Sequence, residues 1–252
     1  MPVSCALVRP PGASYVRAIS STAARIDVAL ARAQHAEYCQ ALAAAGLAVE
    51  LLSPDERYPD SCFMQDPALV IAGQAIICRP GAASRRGEEE ALAEWLARRL
   101  PVARIEEPGT LEGGDVLVLP DSVLVGESGR SNAAGIRQLA ALLAPAGLPV
   151  ISVPVGDNLH LLSAVAYLGR NRLLAVEAFA ERPVFVGLEI IPVPRAEAYA
   201  ANVLALGDHV IVPAGYPRVA RALRACSLDV LPVPTSEFAK ADGGVTCLSL
   251  LL

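Results

Sequence analysis

The residues of this chain that could do chemistry are three histidines, six cysteines and a small set of carboxylates next to turns. His35 lies inside the helical pattern RAQHAEYCQ and reads as a packing or surface residue, and His209 follows Gly207-Asp208 in a turn between strands. His160 is placed differently. It follows Gly156-Asp157-Asn158 and heads the apolar run LLSAVAYLG, at a loop-to-strand junction where a rigid scaffold presents functional groups. An imidazole there can act as acid and base near neutral pH; a buried structural histidine is the competing reading. Glu112 and Asp115 flank Gly113-Gly114 in TLEGGDVLVL, and Asp60 and Asp66 lie in YPDSCFMQDP ahead of an apolar strand. Turn chemistry alone accounts for Gly-Gly-Asp, but carboxylates brought together from separate segments would favour a cationic ligand.

The cysteines stand at 5, 39, 62, 78, 226 and 247, with no CxxC pair and no Cys/His spacing of a zinc site. Disulfides and a structural metal are therefore not expected. Cys5 in SCALV and Cys78 in AIIC read as small buried hydrophobes. Cys247 ends DGGVTC, after two glycines that permit close approach. Its thiol becomes a nucleophile only where a histidine or a bound cation lowers its pKa; otherwise it too is a buried cysteine.

The elements that must position these residues recur in a fixed order. PALVIAG, QAIICRP, a helix from about Ser84 to Leu100 and PVARIEE form one unit. DVLVLP, SVLVGES, a helix from Ser131 to Ala146 and LPVISVPV form another. NVLALG, HVIVPA, a helix from Pro217 to Cys226 and LDVLPVP form a third. Ser84, ahead of a Glu-rich first turn, and Ser131 are the expected helix caps. The segments Ala23–Ala45 with LAVELLS, and Leu159–Pro194, fit degenerate fourth and fifth copies. Units that cannot bury their own apolar faces must stack, and a ring removes the open edges. TCLSLLL can close it by pairing with SCALV. A doubly wound sheet is the alternative for alternating strands and helices, but no GxGxxG fingerprint supports one.

RPPGAS, PDSCFMQD, CRPGAASRRGE, EGGDVLVL, GRSN, HLLS and DGGVTC occur in this order from Arg9 to nearly the last residue. In these motifs the chain resembles the dimethylarginine dimethylaminohydrolase family of guanidino-group-modifying enzymes. The resemblance implies a five-bladed α/β propeller in which Cys247 is the nucleophile, His160 the general acid and base, and Glu112 the carboxylate that holds the guanidinium. It implies Asp66 as a second guanidinium contact, Arg85 and Arg130 as a clamp on the substrate's α-carboxylate, and Asp60 as partner of its α-amino group. Tyr15 falls where the family has a substrate-lining residue, commonly leucine, and Ala241 where a backbone carbonyl meets the ligand. Gln65 replaces the family's usual acid, removing one negative charge near the guanidino substituents, and Leu162 stands where a lysine is frequent.

The expected reaction is hydrolysis of an Nω-substituted L-arginine, with dimethylarginine giving citrulline and dimethylamine. Because of Gln65, Nω-hydroxyarginine, arginine and citrulline are alternative substrates. An amidinotransferase would use the same thiol chemistry on a longer chain, and a non-catalytic binding protein on this fold should lack the Cys/His/Glu set. The 252 residues, 54% hydrophobic, suffice for a single catalytic domain over 1–252. A net charge of −5 gives no general attraction for nucleic acid or anionic lipid. No apolar run reaches the roughly 18 residues of a membrane span, and MPVSCALVRP lacks signal-peptide order. The expected setting is cytoplasmic, the partner a small arginine derivative, with no cofactor or metal, and a homodimer is the assembly to test for.

Overall fold

A computed structural model describes residues 3–252. In chain order it contains β1 (Cys5–Val8), α1 (Val28–Ala44), β2 (Ala48–Leu51), β3 (Ala68–Ile71), β4 (Gln74–Ile77), α2 (Glu89–Ala97) and β5 (Val102–Arg104). There follow β6 (Val116–Val118), β7 (Val123–Glu127), α3 (Ala133–Leu143), β8 (Val150–Pro154), β9 (Val165–Tyr167), β10 (Arg172–Val176), the single helical turn α4 (Glu177–Ala180) and β11 (Glu189–Val193). The last elements are β12 (Leu204–Leu206), β13 (His209–Pro213), α5 (Pro217–Ala225), β14 (Asp229–Val233), the short α6 (Ser236–Ala239) and β15 (Ser249–Leu251).

These strands form five sheets of three. In four of them a hairpin is followed by a helical crossover to a parallel third strand, as in β3-β4-β5. The two-residue turn between β3 and β4 needs positive φ at both centres, and Ala72 (51°) and Gly73 (78°) supply it. The fifth sheet takes its first strand from the far end of the chain: β15 runs antiparallel to β1 with Ala6 opposite Leu251. The terminal strand therefore closes the ring as the sequence pattern predicts. The first strands of neighbouring blades meet one another, β15 with β3, β6 with β9 and β9 with β12, so they form the inner wall.

Packing between blades is apolar. Leu69, Ile76, Val123 and Leu139 form one cluster, and Leu174, Ile191, Val210 and Leu223 another. Each fully buried side chain of this kind contributes about 1.5–3 kcal/mol. Helix α1 is capped by Asp27, whose carboxylate accepts the Ala29 and Leu30 N–H groups, and buries Tyr38, whose hydroxyl meets Ser249 Oγ at 2.7 Å.

Two expected helix starts are corrected. Ser84 lies in a separate short turn over Ala83–Arg85, and α2 begins only at Glu89, because Gly87 at φ 101° cannot continue a helix. Helix α3 is capped by Asn132, whose side-chain oxygen accepts the Gly135 N–H at 2.9 Å; Ser131 is held elsewhere. Among the described residues, no helix is long and apolar enough to cross a membrane.

Candidate active site

Each blade presents a polar side chain just ahead of its inner strand: Asp66 before β3, Glu112 before β6, His160 before β9, Asn202 before β12 and Cys247 before β15. The chain reaches these strands along equivalent paths, so the pseudo-symmetry of the ring carries all five residues to one end of its axis. All five are buried.

The turn Gly113–Asp115 between Glu112 and β6 is the tightest joint. A Cβ on Gly113 would stand 2.0 Å from the Gln65 carbonyl oxygen, and one on Gly114 would stand 2.6 Å from His160 Nδ1 and 2.9 Å from Asp66 Oδ1. The glycines thus admit neighbouring protein groups, not a ligand, and bring Glu112, Asp66 and His160 together. His160 Nε2 lies 2.8 Å from Glu112 Oε2. Glu112 also accepts the Gly81 N–H at 3.0 Å and Arg130 Nη1 at 3.2 and 3.3 Å. Asp66 accepts the Gly114 N–H at 3.0 Å and Arg85 Nη1 at 2.7 Å.

Burial works against charge on Glu112, but the His160 hydrogen bond, Arg85 and Arg130 outweigh it and hold its carboxyl below the usual range. Burial likewise disfavours the imidazolium of His160, yet Asp66, the bond to Glu112 and Asp115 prevail and raise its pKa. Cys247 goes the other way. Burial and the nearby Asp66 charge push its thiol up to about 12, against weaker help from the Gly244 N–H, 3.4 Å from Sγ, and from Thr246 and Arg85. At neutral pH Cys247 therefore rests as the thiol, and the surroundings of His160 favour its protonated form.

Two cavities meet at these residues. The first is lined by Asp60, Asp66, Arg85, Arg130, His160 and Cys247, with Ile19, Phe63 and Ala241, and leaves about 20 Å³ for water-sized spheres. The second, about 580 Å³, shares His160 and Cys247 and is walled on its other side by Tyr199, Asn202 and Thr246. Asp66, Glu112 and His160 offer donor atoms within 4.8 Å of one another, a spacing that could hold a cation; the cationic partners of the two carboxylates here are guanidinium groups.

Of the residues expected from the sequence, Asp60, Asp66, Arg85, Arg130, His160, Ala241 and Cys247 line the first cavity, and Glu112 stands directly behind His160 and Arg130. Asp60 gives both carboxylate oxygens to the Ile19 N–H, at 3.1 and 3.3 Å. Two expectations need correction. Tyr15 does not line the cavity: its ring is fully buried 6.0 Å from Phe63 and 5.8 Å from Phe238, and Ile19 supplies the apolar wall from the same segment. Gln65 lines neither cavity: its Oε1 is buried without a partner, and its backbone N–H donates to the Cys247 carbonyl at 3.2 Å. Arg85 faces the cavity with its guanidinium held by Asp66 and Glu88.

Three further residues belong to this site. Glu88 accepts Arg85 Nε at 2.9 Å, and burial pushes its carboxyl up to about 7. Asn202 takes the Thr246 N–H at 3.0 Å and donates to Thr246 Oγ1 and the Leu162 carbonyl at 2.8 and 3.0 Å, bracing the segments that carry Cys247 and His160. Its place at the head of NVLALG, equivalent to that of Cys247, is the signal that marks it. Asp115 accepts Ser128 Oγ and Ser131 Oγ at 2.6 Å each and the Leu161 N–H at 3.0 Å, joining the loop around Arg130 to the residue after His160.

Comparison with known proteins gives one consistent result. The family model described as eukaryotic N,N-dimethylarginine dimethylhydrolase matches residues 14–247. The chain is 44% identical over 247 residues to N(G),N(G)-dimethylarginine dimethylaminohydrolase of Pseudomonas aeruginosa, covering 97% of each, and 38% identical over 255 residues to the Streptomyces coelicolor protein of the same name, covering 100% of this chain and 98% of that one. The structure superposes at a TM-score of 0.97, with 42% identity and full coverage of both chains, on a cysteine-to-serine variant of the Pseudomonas aeruginosa enzyme complexed with citrulline. The N-terminal domain of ArgZ, a cyanobacterial arginine dihydrolase, is similar in fold alone: TM-score 0.89 at 22% identity, over 98% of this chain and 97% of that one. With its five blades, its buried carboxylates and its closing strand, the chain belongs to the dimethylarginine dimethylaminohydrolase family.

Proposed function

We propose that this protein hydrolyses Nω,Nω-dimethyl-L-arginine to L-citrulline and dimethylamine through a covalent adduct on Cys247. The observation that carries the reading is the convergence on one cavity of the Cys247 thiol, the His160 imidazole and the Asp66 carboxylate, with the buried Glu112 carboxylate directly behind the imidazole at 2.8 Å. A guanidinium is a weak electrophile, so its hydrolysis needs a soft nucleophile, groups that fix its plane and an acid for the departing amine.

A cationic substrate beside Cys247 lowers the thiol's pKa by direct Coulomb attraction, and the released proton leaves to solvent. The thiolate attacks the central carbon to form a tetrahedral adduct. His160 gives its proton to the dimethylamino nitrogen, the C–N bond breaks and dimethylamine departs, leaving a thiouronium on Cys247. The neutral imidazole takes a proton from water as the water oxygen bonds to the same carbon. Collapse breaks the C–S bond, the sulfur takes up the adduct's hydroxyl proton to restore the thiol, and the ureido group of citrulline is left.

The direct test is product analysis with purified protein, alongside Cys247→Ser. Equimolar citrulline and dimethylamine are expected from the wild type, with a mass increment on the Cys247 peptide equal to the substrate less dimethylamine after rapid quenching, and none of these from the variant at unchanged melting temperature. Turnover by Cys247→Ser at the wild-type rate, or ornithine and a urea as products, would refute the proposal.

A further inference from the structure

We infer that Arg130 is a specificity gate: its guanidinium holds the substrate's place on Glu112 at rest and leaves only when the substrate's own α-carboxylate draws it away. The inference rests on the proposed hydrolysis of a guanidino amino acid and names the feature by which the site selects that class.

On the Asp66 and Arg130 side of Cys247 the cavity leaves about 20 Å³, roughly the room of one water molecule, and the larger cavity of about 580 Å³ that shares His160 and Cys247 is not lined by Asp66, Arg85 or Arg130. A substrate guanidinium that is to reach the carboxylates therefore displaces a group on that side. Arg85 is tied by Asp66 and Glu88 and is 4% exposed. Arg130 is 17% exposed, and among the described residues its side-chain hydrogen bonds all run from Nη1 to the two oxygens of Glu112. Its backbone is fixed, with the Arg130 and Ser131 N–H groups both bonded to Ser128 Oγ. A fixed backbone with one displaceable ion pair describes a side chain that swings while its loop stays.

Glu112 is fully buried, with His160 at 2.8 Å, Arg130 at 3.2 Å and Arg85 at 3.9 Å from Oε2, so departure of Arg130 removes one of its three side-chain partners and is opposed unless another cation replaces it. The incoming guanidinium is that replacement. Arg130 then becomes an unpaired cation beside Arg85 unless it meets an anion at the cavity mouth. A guanidino amino acid brings both charges: its guanidinium takes Glu112 and its α-carboxylate receives Arg130. A decarboxylated or simple guanidine brings only the first, and its apparent affinity is reduced by the small fraction of molecules in which Arg130 has moved unaided.

The test compares two substrates in wild type and Arg130→Ala. On dimethylarginine, removing the clamp should lower kcat/KM about 10- to 100-fold, chiefly through KM. On decarboxylated dimethylarginine the same variant should be about tenfold better than wild type, because the plug is gone. A loss or no change on the decarboxylated substrate overturns the gate and leaves Arg130 an ordinary carboxylate clamp. Should Arg130→Ala fail to fold, the wild type decides. Its hydrolysis of N,N-dimethylguanidine should rise severalfold when L-alanine supplies the missing carboxylate, and a flat or falling response overturns the gate. Wild-type turnover of dimethylarginine is measured first: its absence removes the underlying reading and the gate with it, whereas normal turnover with flat Arg130 results removes the gate alone.

Discussion

Gly114→Ala is the substitution that asks most of this site for the fewest added atoms. Its Cβ would lie 2.6 Å from His160 Nδ1, 2.9 Å from His160 Cγ and 2.9 Å from Asp66 Oδ1. Ordinary contact begins near 3.4 Å, so the imidazole must retreat by about 0.8 Å. It cannot do so freely, because Nε2 is bonded to Glu112 at 2.8 Å and the following residue is pinned by Leu161 N–H to Asp115. A displacement of this order at a group that transfers a proton reduces turnover by about 10²-fold, equivalent to about 2.7 kcal/mol. Because the residue has no positive φ, the backbone tolerates alanine and the loss should fall on kcat with little change in KM. Steady-state kinetics on dimethylarginine with thermal melting is the assay. Gly129→Ala, which meets nothing within 4 Å, is the control and should be silent in both. A Gly114→Ala protein with wild-type kcat would refute the placement of His160 against this glycine.

Two other perturbations follow from buried groups outside the reacting set. Asp115→Asn puts an amide where two serine hydroxyls and the Leu161 N–H converge; a loss of about 1.5–3 kcal/mol is expected, with KM raised through the Arg130 loop and kcat lowered through His160. Wild-type stability in the Asp115→Asn variant, with both constants unchanged, would show that the junction does not matter. Buried His35, its ordinary pKa near 6.5 lowered to about 4 by desolvation, should make the fold acid-sensitive. The unfolded chain takes up the proton first, so the contribution of this residue is complete above pH 6.5 and declines by up to about 3 kcal/mol as pH falls to 4. His35→Leu should flatten that part of the melting-temperature profile, and a profile parallel to the wild type would refute the assignment.

The ring was legible because its signal is repeated. Four of the blades spell hairpin, helix and parallel strand within a few dozen residues, and the closing pair of SCALV with TCLSLLL follows from the terminal apolar runs. The boundaries were less legible where side chains had competing uses. Ser131 has the type of a helix cap, yet Asp115 takes its hydroxyl and Asn132 caps instead. Glu88 reads as one more acid favouring a helix N-terminus, whereas its partner is Arg85. Tyr15 occupies a plausible lining position in a loop of small residues, but an aromatic ring with Phe63 and Phe238 within reach is drawn into the core. Asn202 carries no reactive chemistry of its own, so only its place in the repeat could have marked it.

What no pattern of motifs conveys is the balance of charge inside the site. Asp60, Asp66, Glu88, Glu112 and Asp115 are all buried there with Arg85 and His160, and Arg130 is partly buried beside them. Burial raises Asp60, Glu88 and Asp115, so the cluster resists further negative charge, and Asp66 raises the Cys247 thiol for the same reason. Ionising Cys247 alone would add an anion to a set that already has an excess. The substrate's guanidinium removes the obstacle: it brings one positive charge as the thiol gives up one proton, and the total within the buried volume stays constant. Nucleophile activation and substrate capture are then a single electrostatic event, which explains how a thiol held near pKa 12 at rest can serve as the attacking group once the cavity is filled.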